Sequence, residues 1–306
     1  MSAPRFTIVV PCYNAAATLA ATLESFRRQS FADWECLLVD DGSTDATPAL
    51  IAGAAAADPR FRALANPGKG PSTARNLAIG AARGEILAFC DADDLWLPGK
   101  LDLAHRTMAA SEVAGCFGRI AFFDGARSTA TSTVRAGDLT VAQLLGENPV
   151  CTLSNLCVRR EVFARTGGFD PAIVHNEDLD WLIRLVGAGH RVVGLDTLVV
   201  MYRTSVGGLS SDLSAMRRGR AAALASAARF GHRPLPRDEA IHLRYLARRA
   251  LRVGAPAREA LSLALGGLLT SPRGFLSPAR RGVPTLAAAL SAPLMPARLR
   301  RRLFSS

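Results

Sequence analysis

Between Arg5 and Asp91 the chain alternates short, mostly apolar runs with stretches of helical spacing. RFTIVVP (Arg5–Pro11) and WECLLVD (Trp34–Asp40) are nearly continuous apolar runs, as expected of strands covered on both faces. RFRALAN (Arg60–Asn66) is a weaker strand pattern and EILAFCD (Glu85–Asp91) a strong one. Between them, Leu19, Leu23 and Phe26 recur at helical spacing. Ser43–Ala57 reads as a helix opened by Ser or Thr caps, and Gly70–Gly84 as a helix stopped by its final glycine. This β-α-β-α-β-α-β order predicts a parallel sheet with helices on both faces, whose ligand binds beyond the carboxyl ends of the strands.

Further on, Gly115–Gly125, Leu153–Arg160 and His190–Arg203 carry strand patterns, the last as one strand or two. Glu177–Gly189 predicts an amphipathic helix with Leu179, Leu182, Ile183 and Val186 on its apolar face. From about residue 212 helical patterns are broken repeatedly by proline, with no internal repeat. The division expected is 1–211 for a catalytic domain and 212–306 for a helical C-terminal region.

Composition changes this picture in two ways. Hydrophobic residues make up 49% of the 306, which excludes a disordered chain, and aromatics only 6%, which predicts an aliphatic core. The six cysteines form no CxxC pair and sit mostly in apolar runs, as reduced core residues of a cytoplasmic protein would. No leader-like start and no apolar run of about 18 residues suggests export or a spanning helix. Charge is uneven. From Arg217 onward, 18 arginines face three acids, a net +15, so the first 216 residues carry −4 of the total +11.

The candidate chemistry lies at the strand ends. Tyr13-Asn14, Asp40-Asp41 and Asp91 to Asp94 should all project to one edge of the sheet, and the opposite edge carries no such cluster. Asp91, Asp93 and Asp94 repel one another and need compensation from a cation, a basic group or dipoles. The segment NPGKGPSTARN adds glycines, Lys69, Arg75 and a helix N-terminus, a setting suited to an anion. No GxGxxG and no GxxxxGK[ST] accompanies it. Three aspartates beside such a segment suit a hard divalent cation, Mg²⁺ or Mn²⁺, shared with a diphosphate.

VVPCYNA, LLVDDGSTD, GPSTARN, ILAFCDADD, GGFDPAI and NEDLDWLIRL follow one another in this order. Together they resemble the inverting family 2 glycosyltransferases, over roughly two thirds of the chain. The resemblance implies a GT-A type fold: a Rossmann-like mixed, mainly parallel α/β sheet with helices on both faces, followed here by the C-terminal helical region. It implies that Pro11, Tyr13, Asn14 and Asp41 hold the nucleobase and ribose, with a local turn at DDGS as the alternative for Asp41. Arg75 stands near the nucleotide or on a helix surface. Asp93 is the metal ligand (Mn²⁺ or Mg²⁺), with Asp91 beside the ribose or the metal. Asp94 and Trp96 face the donor sugar or cap the next helix. Asp178 is the general base and Glu177 an acceptor contact or a supporting residue behind the base, unless both acids simply favour a helix start. His175 is a loop residue. Ser205 stands where relatives carry a histidine in Tyr-Arg-x-His.

The implied reaction moves a sugar from a nucleotide donor, UDP-linked in many relatives, to a glycan or lipid-linked glycan acceptor in surface polysaccharide or glycolipid assembly. The rivals are a polyprenyl-phosphate sugar synthase of the same fold, whose DADLQ-like run differs from DADDLW here, and a noncatalytic nucleotide-sugar binding protein. The basic tail suits peripheral contact with an anionic membrane at the inner face of the cytoplasmic membrane, or a solvated helical cap. It has four aromatics (Phe230, Tyr245, Phe275, Phe304) and no nucleic-acid motif, so nucleic acid is not the expected partner.

Overall fold

A computed structural model describes residues 3–134, 136–204 and 212–295. The chain divides into two compact units. One comprises the residues up to Leu139 together with Val150–Thr204; the other comprises Thr140–Pro149 and the chain after Thr204.

In the first unit, β1 (Phe6–Cys12), α1 (Leu19–Arg27), β2 (Trp34–Asp40), α2 (Thr47–Ala57), β3 (Phe61–Ala65), α3 (Pro71–Ala81) and β4 (Ile86–Phe89) alternate in that order. Then come β5 (Leu95–Trp96), α4 (Lys100–Thr107), β6 (Val113–Phe123), β7 (Ser128–Thr131) and β8 (Gly137–Asp138). In the second unit, α5 covers Val141–Gly146. Back in the first unit, a 3₁₀ turn at Leu153–Asn155 leads into β9 (Leu156–Arg159), α6 (Glu161–Thr166), α7 (Glu177–Gly187) and the single long β10 (Arg191–Arg203).

Among the described residues the sheet order is β3-β2-β1-β4-β9-β6-β10-β5, with β7 on β6 and β8 on β10. β3, β2, β1 and β4 run parallel, with Phe6 beside Trp34 and Ile86, and Cys12 beside Asp40. β9 is antiparallel to β4 and β6, while β6 and β10 are parallel. The sheet is therefore mixed and mainly parallel. Its parallel half brings the ends of β1, β2 and β4 to one edge.

Alternation along β1 explains the packing. Phe6, Ile8, Val10 and Cys12 share a core cluster with Leu19, Leu23 and Phe26 of α1. Val9 on the opposite face is equally buried. The few aromatics are not dispersed in an aliphatic core. Phe89, Phe163, Phe169 and Trp181 pack together, with Phe163 stacked on Trp181 at 4.2 Å. The buried face of α7 is correspondingly wider than its spacing predicts. It includes Trp181 and Leu185, while Val186 is only half-buried. None of the six cysteines forms a disulfide; five are buried and Cys151 is exposed.

The second unit holds α8 (Leu213–Arg229), α9 (Pro236–Arg252), α10 (Ala257–Thr270), α11 (Pro272–Leu276) and α12 (Ala279–Ser291), closed by a 3₁₀ turn at Ala292–Leu294. A small-residue core of Ala240, Ala247, Ala250, Ala264 and Ala289 packs around Phe275, Leu246 and Leu263. Helix α5 belongs here too. Arg220 donates to the Leu145 carbonyl at 2.9 Å, and Arg281 pairs with Glu147 at 3.1 Å. Thr140–Pro149 thus belongs to the second unit although it lies before residue 211.

Candidate active site

The loop after β1, the turn after β2 and the loop before α3 are tied to one another. Asn14, at a φ of 46°, accepts from the Thr44 N–H at 2.8 Å and donates its own N–H to the Ser43 hydroxyl at 3.0 Å. In DDGS the turn carboxylate is Asp40, which accepts from the Ser43 N–H at 3.3 Å. Asp41 is 6% exposed and does something else. Its carboxylate accepts from Asn66 Nδ2 at 2.6 Å and from the Gly70 N–H at 3.0 Å, and Lys69 Nζ donates to its backbone carbonyl. Gly70 precedes α3 with a φ of 95°, a conformation that favours glycine. The anion-suited start of α3 is thus already engaged by the carboxylate of Asp41. A carboxylate has about four acceptor positions, so capacity for a further donor remains. Tyr13 is 54% exposed, with Lys69 Nζ 4.0 Å from its ring centre, a cation-π pair. Pro11 is half-buried at the end of β1.

Arg75 lies one turn into α3. It is not a surface arginine: it is 5% exposed, and its guanidinium donates to Asp91 Oδ1 and to Glu177 Oε1, both at 2.8 Å. Burial opposes its charge, but the two carboxylates outweigh that and raise its pKa. One cation therefore joins the end of β4 to the start of α7.

Around it the aspartates divide. Asp91 receives the Thr152 hydroxyl at 3.3 Å, and its N–H donates to the Ser154 hydroxyl at 2.9 Å. Asp94 is fully buried and accepts the Arg203 N–H at 2.8 Å, while its Oδ2 has no hydrogen-bond partner. Burial first, then Asp91 and Asp93, hold Asp94 well above the usual carboxylate range. Half-buried Asp93 is pushed up to about 6 by burial and by Asp91. Arg203 Nε braces the run by donating to the Asp93 carbonyl at 2.9 Å.

Neither expectation for Asp94 and Trp96 holds. Trp96 is a core residue, 4.8 Å from Phe26 between ring centres and donating Nε1 to the Ser154 carbonyl at 2.9 Å. The residue preceding α4 is Gly99.

Glu177 and Asp178 open α7, where acids suit the helix dipole. The left-handed Asn176, at a φ of 62°, precedes them, and His175 lies in the same loop. Glu177 is committed to Arg75. Asp178, half-buried, is raised to about 7, first by burial and then by the charge of Glu177, with Arg75 partly opposing. Ser205 lies outside the described residues.

Three contributors, Arg203, Thr152 and Ser154, are not singled out by the sequence. Arg203 was visible beside the Tyr-Arg-x-His position. Thr152 and Ser154 carried no signal, because their partners lie about sixty residues away.

Among the described residues, no group of three or more His, Cys, Asp or Glu could hold a metal unaided. Mg²⁺ and Mn²⁺ bound through one or two carboxylates and a ligand's phosphates need no such group. Half-buried Asp93, raised by burial and then by the charge of Asp91, marks a place short of positive charge, so Asp93 with Asp91 fits a divalent cation.

A GT-A sheet with acidic clusters at one edge defines a nucleotide-sugar glycosyltransferase. The family model described as Glycosyl transferase family 2 matches residues 7–167, and the chain belongs to that family. It is 30% identical over 210 residues to the Escherichia coli UDP-Glc:alpha-D-GlcNAc-diphosphoundecaprenol beta-1,3-glucosyltransferase WfgD, covering 67% of this chain and 79% of that one. Among solved structures, the mannosyltransferase PcManGT of Pyrobaculum calidifontis, in complex with GDP-Man and Mn²⁺, superposes with a TM-score of 0.61. The identity is 21%, over 99% of this chain and 84% of that one. S. aureus TarS superposes with a TM-score of 0.60 at 16% identity over 94% of this chain, which spans 55% of TarS.

Proposed function

We propose that this enzyme transfers one sugar, with inversion, from a UDP-linked donor to a hydroxyl of a glycan or lipid-linked glycan in surface polysaccharide assembly. The observation that carries the reading is the Arg75 bridge, which brings Asp91 and the Glu177-Asp178 pair to a single edge of the sheet. The UDP-Glc donor in the name of WfgD and the complex of TarS residues 1–349 with UDP-GlcNAc favour UDP. The name of WfgD also points to a lipid-linked acceptor.

In this reading Pro11, Tyr13, Asn14 and Asp41 receive the base and ribose, the exposed Tyr13 ring offering a stacking surface. Asp93, with Asp91, would hold a divalent cation, Mn²⁺ or Mg²⁺, which when bound supplies charge neutralisation for the departing diphosphate. Asp178 takes the proton of the acceptor hydroxyl as its oxygen attacks the anomeric carbon. A carboxylate raised to about 7 is a far better base than an ordinary one and still ionised in good part at neutral pH. Glu177, held by Arg75, adds its charge to the burial that raises Asp178, and orients the start of α7. Arg203 and Ser154 hold the aspartate run in shape.

Calorimetry of UDP binding in the presence of Mn²⁺ tests the donor site. Asp93→Ala is expected to abolish the metal-dependent part of the affinity. Affinity unchanged in that variant would overturn the assignment.

A further inference from the structure

Helices α10 and α12 pack against one another within the second unit, and each turns apolar side chains to solvent. On α10, Leu265 is 39% and Leu269 85% exposed. On α12 and the turn after it, Val283 is 53%, Leu290 52% and Leu294 87% exposed. Val283, Ala287, Leu290 and Leu294 follow at steps of four, three and four, which is one helical face. The opposite faces are apolar too, through Leu263, Ala264, Gly267 and Ala289. No charged residue interrupts Ala260–Pro272 or Gly282–Met295. A helix that is apolar all round is normally buried on every side, and large exposed apolar side chains on two packed helices mark an interaction surface.

The charge beside this face selects its partner. Arg258, Ser262, Leu265 and Leu269 also recur at steps of four, three and four, so one face of α10 changes from cationic to apolar along its length. Its cationic end opens a shallow pocket of ≈ 510 Å³ lined by Arg217, Pro256, Arg258, Glu259, Ser262 and Leu263. Arg273 and Arg280, both exposed, flank the junction from α10 to α12. Arginines that bind phosphate next to leucines that leave water match the headgroup and acyl layers of a phospholipid.

We propose that the α10–α12 face docks the enzyme on an anionic phospholipid bilayer, with its leucines and Val283 at the acyl boundary and Arg217 and Arg258 on lipid phosphate. The contact is peripheral: among the described residues no helix is long and apolar enough to cross a membrane. Leu299 and Leu303 lie four apart among the terminal arginines. Those residues lie outside the described ones.

Co-sedimentation of the full chain with phosphatidylcholine vesicles, with and without phosphatidylglycerol, tests the proposal independently of the sugar chemistry. Binding is expected to anionic vesicles and to weaken as salt rises. Leu269→Ser combined with Leu290→Ser should lower the partition by about tenfold or more, because two leucines no longer leave water. Arg217→Ser combined with Arg258→Ser should abolish the preference for phosphatidylglycerol. Both variants change exposed positions and should keep the wild-type melting temperature. A chain ending at Met295 should still bind. The proposal is overturned if the leucine variant binds like wild type, or if only the chain ending at Met295 loses binding. It is also overturned if vesicles are never bound and light scattering shows a wild-type oligomer that the leucine variant dissociates, which would make the face a contact between copies.

Discussion

Arg75 lies between two acids that would otherwise repel each other, so its loss should cost both stability and binding. In Arg75→Ala, Glu177 stays mostly buried with its charge unpaired. The expected destabilisation is about 3 kcal/mol by urea unfolding, the low end for a broken buried pair because Asp91 remains partly hydrated. Asp178 behaves in the opposite sense. Its folded-state pKa of about 7 lies above the ordinary 3.8, so the native state holds the proton more tightly than the unfolded chain. The stability this confers is complete below about pH 4 and is lost as the pH rises to about 7. Asp178→Asn should therefore melt higher than wild type above pH 7 and match it near pH 4. The same variant should keep donor affinity while turnover falls about 10²–10⁴-fold, and it should lack the rise in kcat/KM through about pH 7 that is expected of wild type. If Glu177→Gln is the inactive variant and Asp178→Asn still turns over, the base is Glu177.

Among the elements, those legible in the sequence were the ones set by local pattern. The first four parallel strands and their helices follow from apolar runs and 3.6-residue spacing, because such strands are buried whatever their neighbours. The two-residue β5 and β8 are too short to carry a period. The pairing of β9 between β4 and β6 is a long-range choice that no run announces. At the site the acids were legible because they sit at strand ends. Arg75 was placed near them, but its attachment to Glu177, 102 residues away, was not readable. Trp96 and Asp94 were misread for a related reason: a motif reveals residue types and order, not which side chains turn inward. The loop before α7 shows the same long-range dependence. Asn76 of α3 donates to the Phe169 carbonyl at 2.7 Å and accepts its N–H at 2.9 Å. A Cβ on Gly168 would lie 2.5 Å from Asn76 Oδ1. Gly168→Ala should thus destabilise by about 1–3 kcal/mol in thermal unfolding. Combined with Asn76→Ala, its effect should be less than additive, since the two share one contact.

At the scale of the whole molecule, the chain leaves the first unit at Thr140, returns at Val150 and leaves again after Thr204. Ending it at residue 204 would strip α5 of its partners and bare Leu144 and Leu145, both buried in the full chain. Such a truncation is expected to aggregate in size-exclusion chromatography, and Leu144→Ser with Leu145→Ser to restore part of the soluble fraction. The same segment has a consequence during synthesis. Leu145 leaves the ribosome roughly ninety residues before the start of α9, the helix it waits for. At translation rates of about 5–20 residues per second, α5 remains without its partner for roughly 5–20 s. A nascent chain of this enzyme thus offers chaperones a short apolar helix for a time fixed by codon usage between Val150 and Pro236.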